Sequence, residues 1–267
     1  MKSIKSLSAL GISGLLAIAL VTGCGTGEKA NQTAGQASPE KKVIVMGTSA
    51  DYPPYEFHDQ SSGKDEIVGF DVDIAKKIAS ELGYELKIQD MDFNGLLPAL
   101  QAGRVGFVMA GMTPTDERRQ NVDFSILYYD AKNTIVAKKG SNLTKPEDLK
   151  GKKVGVQLGS IQEGDAKELA KEIQGMELKP LNKIPEIIQE IKAGRIDAAI
   201  IEDTVAKGYT GANPDLQFHV IPPKGPNGSA VAFPKGSKNA EEFNKVLKKL
   251  KDSGEMEQLV KKWFEQK

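Results

Sequence analysis

The feature that most constrains the fold is an internal repeat of a helix, an Ala-Gly-Arg turn and an apolar strand. LLPALQAGRVGFVMAG and IIQEIKAGRIDAAIIED align over this pattern, so that Gly111 falls opposite Glu202 and Met112 opposite Asp203. A second pair, VIVMGTS and VGVQLGS, consists of strands that break at glycine before a hydroxyl residue. The repeats predict two lobes of similar design.

The remaining pattern alternates short β runs with amphipathic helices, which indicates α/β lobes with largely parallel sheets. VIVMG, LKIQDM and KKVGVQLG are expected to be strands, and ADYPPYEF, with its paired prolines, a loop. Asp71 and Asn94 are predicted to cap helices, the second of which ends at Gly103. Thr144 and Glu147 have the spacing of a capping box before a short helix.

The N-terminus has the features of an export signal. Lys2 and Lys5 precede an apolar run over 7–21, and small residues then lead to Cys24 in VTGC, which resembles the bacterial lipobox. Residues 1–24 are therefore predicted to be a lipoprotein signal peptide, with lipidation at Cys24. The alternative is cleavage elsewhere, which would leave a spare thiol.

The stretch after the predicted signal peptide is polar. Residues 25–41 contain almost no apolar side chains and are expected to form a flexible tether. The folded part would then begin near Lys42, anchored by lipid to the outer face of the cytoplasmic membrane. Because no other long apolar run follows, the mature chain is not expected to span the bilayer.

Composition excludes several classes of function. Lys+Arg and Asp+Glu are both 36, so neither a basic surface for nucleic acid nor an acidic tail is indicated. One cysteine and two histidines, His58 and His219, cannot supply a structural zinc site or a disulfide framework. No cofactor or metal is predicted.

Four segments at strand ends are candidates for a shared cleft. Ligands of open α/β sheets bind beyond the carboxyl ends of the strands. If the two lobes face each other, TSADY, AGMTPT, LGSIQ and IEDT converge on one cleft. We therefore expect the binding residues to lie in these segments.

The segment AGMTPTDERR has the composition of a carboxylate site. Thr113 and Thr115 offer hydroxyls, Gly111 permits close approach to the backbone, and Arg118 follows within a turn or two. An arginine fork can hold a carboxylate through two hydrogen bonds. The alternative is a solvated helix start, to which Arg119 is assigned.

The other lobe offers complementary charge. Glu202 and Asp203 end an apolar strand, and a carboxylate there can take an ammonium group, so that Arg118 and Asp203 together describe a receptor for a zwitterion. An interlobe salt bridge or a helix cap is the alternative. Tyr52 and Phe93 also follow strands and are candidates to sandwich an extended or planar side chain, although such aromatics are usually core residues.

These segments together resemble a known family. GTSADYPPYEF, VGFDVDIAKKIASELG, MDFNGLLPALQAG, AGMTPTDERR, VDFS, GKKVGVQLGS, IEDT, VAFPKGS and KKWF are similar to the polar amino acid family (family 3) of solute-binding proteins that serve ABC importers. The resemblance implies an α/β fold of the two-lobed periplasmic-binding-protein type II, with two hinge strands. The first lobe would comprise 42–129 and 228–267 and the second 130–227, with the chain crossing near 128–132 and 225–229.

The resemblance also implies roles for individual residues. Arg118 and Thr113 should hold the α-carboxylate of an amino acid, with a contact from Ser160 in the second lobe. The carbonyl of Gly111 and the carboxylate of Asp203 should hold the α-ammonium, and the two aromatics should pack against the ligand side chain. The implied partners are the ligand and the permease subunits of an ABC transporter, with the protein itself a monomer.

The choice among amino acids depends on fewer residues. Glu202 favours a cationic side chain, and QLGSIQ with IIEDTVA looks most like arginine-type members from Gram-positive bacteria. L-arginine is therefore favoured, with lysine and other basic amino acids as weaker ligands. Ser49 stands where several members carry an aspartate, which leaves glutamine, histidine and cystine open. Gln157 and Gln162 are candidates to reach the end of the ligand side chain, or else surface residues.

Two other functions on the same fold remain as alternatives. A dehydratase-type enzyme would use Glu202 and Asp203 as acid and base. A sensor module would present the amino acid to a receptor. Gly106 and Ile126 depart from the family pattern, in which acidic residues are frequent at both positions.

Overall fold

The computed structural model describes residues 41–222, 225 and 227–265. The predicted signal peptide, Cys24 and residues 25–40 of the predicted tether lie outside the described residues. Among the residues described, no helix combines the length and apolar character needed to cross a membrane.

Thirteen strands and eight α-helices make up the described chain. The strands are β1 (Lys42–Thr48), β2 (Asp51–Tyr52), β3 (Glu56–Asp59), β4 (Glu66–Val68), β5 (Tyr84–Asp90), β6 (Phe107–Val108), β7 (Val122–Phe124), β8 (Asn133–Lys138), β9 (Lys153–Gln157), β10 (Glu177–Leu181), β11 (Ala198–Glu202), β12 (Leu216–Val220) and β13 (Ala232–Pro234). The helices are α1 (Phe70–Glu81), α2 (Leu96–Gln101), α3 (Asp116–Asn121), α4 (Ile161–Glu172), α5 (Ile184–Ala193), α6 (Asp203–Ala212), α7 (Asn239–Asp252) and α8 (Glu255–Val260).

Two five-stranded sheets define the two lobes. The sheet of the first lobe has the order β5-β1-β6-β13-β7, and that of the second lobe has the order β10-β9-β11-β8-β12. The repeated strands β6 and β11 both occupy the central position. The internal repeat in the sequence is thus present as a repeat in the fold.

Each large sheet is mixed, not largely parallel as the alternation of strands and helices suggested. In the first lobe β1 pairs in parallel with β5 and β6, whereas β13 pairs antiparallel with β6 and β7. In the second lobe β9 pairs in parallel with β10 and β11, and β8 pairs antiparallel with β11 and β12. The antiparallel strands arise where the chain enters one lobe from the other, which a reading of local pattern does not detect.

The chain passes between the lobes twice, at neighbouring positions. Tyr129 and Ser229 form an isolated antiparallel bridge, in which the Ser229 amide donates to the Tyr129 carbonyl at 2.8 Å. The Tyr128 amide donates to the Ser229 carbonyl at 2.9 Å. Because the two connecting segments lie side by side at this bridge, we expect relative motion of the lobes to be concentrated here.

Apolar helix faces build the cores. In α1 the buried residues include Phe70, Ile74 and Ile78, and this helix packs on β5 and on the C-terminal helices α7 and α8. Burial of each such side chain contributes about 1.5–3 kcal/mol. In the second lobe α5 buries four isoleucines, among them Ile187 and Ile191, against β9, β10 and β11.

Two predicted helix caps are wrong. Gly69, not Asp71, precedes α1, and Asp71 lies inside the helix with a fully buried carboxyl. Asn94 lies within a short 3₁₀ turn (Phe93–Gly95) that leads into α2. Asp71 therefore lies within its helix and Asn94 within the turn, and neither occupies the cap position that its residue type favours.

The predicted capping box has a different acid. Asp148, not Glu147, accepts hydrogen bonds from the amide of Thr144 at 3.0 Å and from its hydroxyl at 3.1 Å. The segment that follows is a 3₁₀ turn, Pro146–Leu149. In this tighter turn, the acid that reaches back lies one residue later.

The stretch ADYPPYEF is not a simple loop. It contributes β2 and the start of β3 to a three-stranded sheet of order β2-β3-β4. Extended residues on both sides of the two prolines pair with each other, since Asp51 is opposite Phe57 and Tyr52 opposite Glu56. The turn thereby places two tyrosines, Tyr52 and Tyr55, between the lobes.

The two departures from the family pattern have different surroundings. A Cβ on Gly106 would lie 3.1 Å from Ile44, so the residue packs tightly against β1. Ile126 is 41% exposed, and its amide donates to Oδ1 of Asn244 in α7 at 2.8 Å. Nothing in the structure explains the exposed isoleucine.

Candidate functional site

A narrow cavity lies between the lobes at the ends of the central strands. Nine of the residues singled out from the sequence line it: Tyr52, Phe93, Gly111, Thr113, Arg118, Gln157, Ser160, Gln162 and Glu202. Ala110, Ala131, Asn133, Ile161, Asn227 and Gly228 also contribute. Both lobes and both crossings of the chain therefore form its walls.

Arg118 reaches the cavity from the first turn of α3. Thr115 caps this helix by accepting from the Arg118 amide at 3.2 Å. The guanidinium donates to the carbonyl of Thr113 at 2.7 Å and, across the cleft, to the carbonyl of Gly159 at 2.8 Å. Its Cζ lies 5.5 Å from the ring centroid of Phe93, so this aromatic supports the arginine as well as lining the cavity.

The Arg118 guanidinium has carbonyl partners but, among the described residues, no carboxylate within ion-pair distance. Burial lowers the pKa of Arg118 to about 10, and the negative charge of Glu117 opposes this shift only in part. A guanidinium has five N–H donors, and the carbonyls of Thr113 and Gly159 accept only two of these hydrogen bonds. The site can therefore take an anion such as a carboxylate.

The turn before Arg118 requires a glycine. Gly111 has φ of 55°, in the left-handed region, and a Cβ there would lie 3.1 Å from the ring of Tyr52. Its amide donates to Oδ2 of Asp71 at 3.0 Å. Any side chain at this position would both strain the backbone and displace Tyr52 from the cavity wall.

Glu202 is the buried acid of the cavity. It ends β11, is 4% exposed, and accepts hydrogen bonds from the Thr204 hydroxyl at 2.5 Å, the Tyr55 hydroxyl at 3.1 Å and the Thr204 amide at 3.4 Å. Desolvation raises the pKa of Glu202 to about 8, against the opposing effect of these hydrogen bonds. In the described part of the chain no cationic side chain lies within ion-pair distance of it.

The cavity walls thus carry a cation, Arg118, and an acid, Glu202, neither of which has an oppositely charged side chain within ion-pair distance among the described residues. Buried charges are costly unless they are paired. A molecule with a carboxylate and one or more cationic groups would supply both partners at once. Among the residues described, no group of three or more His, Cys, Asp or Glu side chains is arranged to hold a metal ion.

Ser160 and Gln157 form the second-lobe side of the cavity. Ser160 caps α4 by accepting from the Glu163 amide at 3.1 Å, and its hydroxyl donates to the Gln157 carbonyl at 2.7 Å. The Gln157 side chain donates to Oδ2 of Asp51 at 3.4 Å and to the carbonyl of Asn182 at 3.3 Å. Ser160 is therefore held by hydrogen bonds within its own segment, and the Gln157 side chain by bonds to Asp51 of the first lobe and to Asn182.

Two residues singled out from the sequence are not among those that line the cavity. Ser49 is buried and donates to Oδ1 of Asp51 at 2.8 Å. Asp203 is half-buried at the start of α6, where its Oδ1 accepts from the amides of Lys132 and Thr204, both at 3.1 Å. Asp203 follows the lining residue Glu202 in sequence, whereas Ser49 is connected to the lining residue Gln157 only through Asp51.

Asp51 makes a contact between the lobes that the sequence did not reveal. Its Oδ2 accepts from the amide of Ile184, the first residue of α5 in the second lobe, at 2.7 Å. Its carbonyl accepts from the hydroxyl of Tyr209 in α6 at 2.8 Å. A carboxylate of one lobe thereby satisfies a helix N-terminus of the other, where such an acid is favourable.

Two carboxyl groups are buried behind the cavity. Asp71 accepts from the Gly111 amide and, at 2.7 Å, from the hydroxyl of Tyr128 at the crossing of the chain. Burial raises the pKa of Asp71 to about 6 and that of the neighbouring Glu56 well above its usual range. Asp71 thereby connects the turn at Gly111 to the crossing of the chain at Tyr128, which residue type alone did not indicate.

Comparison with known proteins places the chain in a family. The model of the bacterial extracellular solute-binding proteins, family 3, matches residues 44–266. The arginine-binding extracellular protein ArtP of Bacillus subtilis (strain 168) is 50% identical over 246 residues, which is 91% of this chain and 92% of that protein.

Solved structures agree with this assignment. The substrate-binding protein of an amino acid ABC transporter is 52% identical, with a TM-score of 0.80, and covers 84% of this chain and 100% of its own. The amino acid ABC transporter substrate-binding protein AbpA from Streptococcus pneumoniae, bound to L-arginine, is 40% identical, with a TM-score of 0.78 over 84% of this chain and 94% of its own. The two-lobed fold expected from the sequence is confirmed, and the chain belongs to the bacterial extracellular solute-binding proteins of family 3.

Proposed function

We propose that this protein captures L-arginine, or another basic amino acid, outside the cytoplasmic membrane and delivers it to an ABC import permease. The observation that carries the proposal is that Arg118 and Glu202 line one cavity and that, within the described part of the chain, neither has a side chain of opposite charge within ion-pair distance. The names of the similar proteins, which bind arginine or serve amino acid ABC transporters, support the same ligand class.

The ligand carboxylate is assigned to Arg118. Two charge-assisted hydrogen bonds from the guanidinium would each contribute about 1.5–3 kcal/mol. Thr113 and Ser160 lie on the same cavity and would add contacts from the two lobes. Closure of the lobes on the ligand would strengthen each of these interactions by excluding water.

The ligand ammonium is assigned to the carbonyl of Gly111 and the carboxylate of Asp203. Oδ1 of Asp203 already accepts two backbone amides, so Oδ2 is the oxygen that would meet the ammonium. A small movement of the half-buried side chain would be needed, because Asp203 is not among the lining residues.

The ligand side chain is assigned to the part of the cavity formed by Glu202, Tyr52 and Phe93. A guanidinium would give Glu202 its missing cation and can stack on an aromatic ring. Gln157 and Gln162 lie on the second-lobe wall and are further candidates for its end. Ser49 would act indirectly, through its hydrogen bond to Asp51.

The proposal extends to export and anchoring. Residues 1–24 would be removed as a signal peptide, Cys24 would be lipidated, and 25–41 would tether a monomeric binding protein to the membrane. The lobes would comprise 42–129 with 228–267, and 130–227. The bridge between Tyr129 and Ser229 supports these limits, because it joins the two crossings of the chain.

A screen of the standard amino acids by thermal shift and calorimetry tests the proposal. A ligand that binds only the folded state raises its melting temperature by mass action. We expect the largest shifts with arginine, then lysine. A shift with glutamine, histidine or cystine alone would retain the binding function and overturn the role of Glu202, and no shift with any amino acid would favour an enzyme or a sensor.

A further inference from the structure

Three side chains form a hydrogen-bonded series on the second-lobe wall of the cavity. Nδ2 of Asn133 donates to Oδ2 of Asp165 at 2.7 Å, and Nε2 of Gln162 donates to Oδ1 of Asn133 at 2.9 Å. Asn133 is 3% exposed and Gln162 is 8% exposed, and both line the cavity. We call Asp165, Asn133 and Gln162 the amide relay.

The carboxylate sets the direction of every hydrogen bond in the amide relay. An ionised carboxylate only accepts, so Asn133 has to present its NH₂ group to Asp165. The carbonyl oxygen of Asn133 then faces Gln162, which in turn has to present Nε2. The carbonyl oxygen Oε1 of Gln162 is therefore the end of its amide turned away from Asn133.

The backbone fixes where the amide relay ends. Gln162 lies in the first turn of α4, and Asp165 follows one turn later on the same helix. Asn133 opens β8 and is paired in register with Glu202 at the end of β11. The amide of Gln162 and the acid of Glu202 thus belong to the same wall of the cavity.

We propose that the amide relay is a specificity device, which holds Oε1 of Gln162 towards the ligand side chain and thereby selects for groups that only donate hydrogen bonds. The inference deepens the proposed function and rests on it. A guanidinium carries five N–H donors and no acceptor, whereas a ureido or carboxamide group also presents a carbonyl oxygen. The carbonyl oxygen of such a ligand would face Oε1 of Gln162. Because both oxygens only accept hydrogen bonds, each would be buried without a donor.

The relevant probe is L-citrulline, the neutral ureido analogue of L-arginine. Wild-type protein is titrated calorimetrically with both, as is the Asp165→Asn variant of the full chain. An asparagine at 165 can accept or donate, so the amide relay can reverse and present the NH₂ of Gln162 to the ligand. We expect the preference for arginine over citrulline to fall by about five- to tenfold, the effect of one buried hydrogen bond.

Two further variants separate the amide relay from general damage to α4. Glu168→Gln removes an exposed acid of the same helix, paired with Lys171, and is expected to leave the preference unchanged. Gln162→Leu removes the end of the relay and is expected to lower the preference by itself. In that background Asp165→Asn should have no further effect on the ratio, because coupled residues are not additive.

The outcomes distinguish this inference from the function on which it rests. Arginine binding with a ratio that Asp165→Asn leaves unchanged would overturn the amide relay and keep the proposed function. Equal affinity of wild type for arginine and citrulline would overturn the amide relay and the role of Glu202 in selecting a cation, and keep the binding of an amino acid. Absence of arginine binding by wild type would overturn both the amide relay and the proposed function.

Discussion

Tyr55 and Glu202 are joined by a buried hydrogen bond of 3.1 Å that runs from the first lobe to the second. The Tyr55 ring also packs edge-on against Phe264 near the C-terminus and stacks with Tyr52 of the cavity wall. The acid proposed to select a cationic ligand is therefore oriented by a residue that is held on the opposite lobe.

Replacement of Tyr55 by phenylalanine tests this contact. Tyr55→Phe keeps the packing and removes one donor to Glu202, which leaves a buried carboxylate with one partner fewer. We expect arginine to bind about three- to tenfold more weakly by calorimetry. Tyr84→Phe, in the edge strand β5, is the control; a Tyr55→Phe affinity equal to that of wild type would contradict a role for the contact.

Binding of a cationic ligand should release a proton at neutral pH. Burial raises the pKa of Glu202 to about 8, so without ligand the carboxyl is largely protonated near pH 6. A guanidinium beside it favours the ionised form, so the bound state carries fewer protons than the free state. Arginine affinity is therefore expected to rise between about pH 6 and pH 8, by up to about tenfold per pH unit.

Calorimetry in two buffers of different ionisation enthalpy measures this release directly. The control is Glu202→Gln, which cannot ionise and should lose both the pH dependence and most of the affinity for arginine. An affinity that is constant or falls as pH rises over this range would show that Glu202 does not titrate on binding.

Arg118 and its neighbour Arg119 form a matched pair for testing the carboxylate contact. Arg118→Lys keeps the charge and loses the planar fork, and we expect the affinity for arginine to fall by about 100-fold or more. Arg119 is exposed and lies over Phe124, away from the cavity, so Arg119→Lys should change the affinity little. Equal effects of the two substitutions would rule out a special role for Arg118.

Asp51 provides a test of lobe closure. Asp51→Ala removes the acceptor for the Ile184 amide, a loss comparable to that of a helix cap, about 0.5–2 kcal/mol. Because the closed form binds ligand, apparent arginine affinity should fall by about three- to thirtyfold. Small-angle scattering should show a larger ligand-free radius of gyration.

The control for this prediction is Asp59→Ala. Asp59 accepts hydrogen bonds from Ser61 in an exposed turn of the first lobe and, among the described residues, forms no hydrogen bond with the second lobe. If Asp51→Ala changed neither affinity nor dimensions, the contact to α5 would have no part in closure.

Much of the cavity could be predicted from local sequence pattern because its residues follow the carboxyl ends of strands. In both lobes the repeated strands β6 and β11 occupy the centre of the sheet, and the residues that follow them, Gly111 and Glu202 among them, meet at the cleft. The rule depends only on the order of apolar runs and on residue type. Such information is present in a single sequence.

Contacts between distant segments could not be found in that way. The Tyr55–Glu202 pair, the Asp51–Ile184 contact and the Asn133–Gln162 hydrogen bond each join residues that no shared motif connects. Residue type predicts a helix cap at Asp71, because acids favour that position, but its tertiary partners, Gly111 and Tyr128, determine its place. Local propensity is outweighed where a buried polar group finds better partners elsewhere.

The central claim is that one cavity holds both the carboxylate and the cationic side chain of arginine. The most direct test is calorimetric titration of the wild-type protein with L-arginine and with agmatine, which is arginine without its carboxylate. We predict binding of arginine with a dissociation constant of about 1 μM or below, and binding of agmatine at least about 100-fold weaker, because Arg118 would then lack its anion. Comparable affinities for the two, or no binding of arginine, would contradict the account.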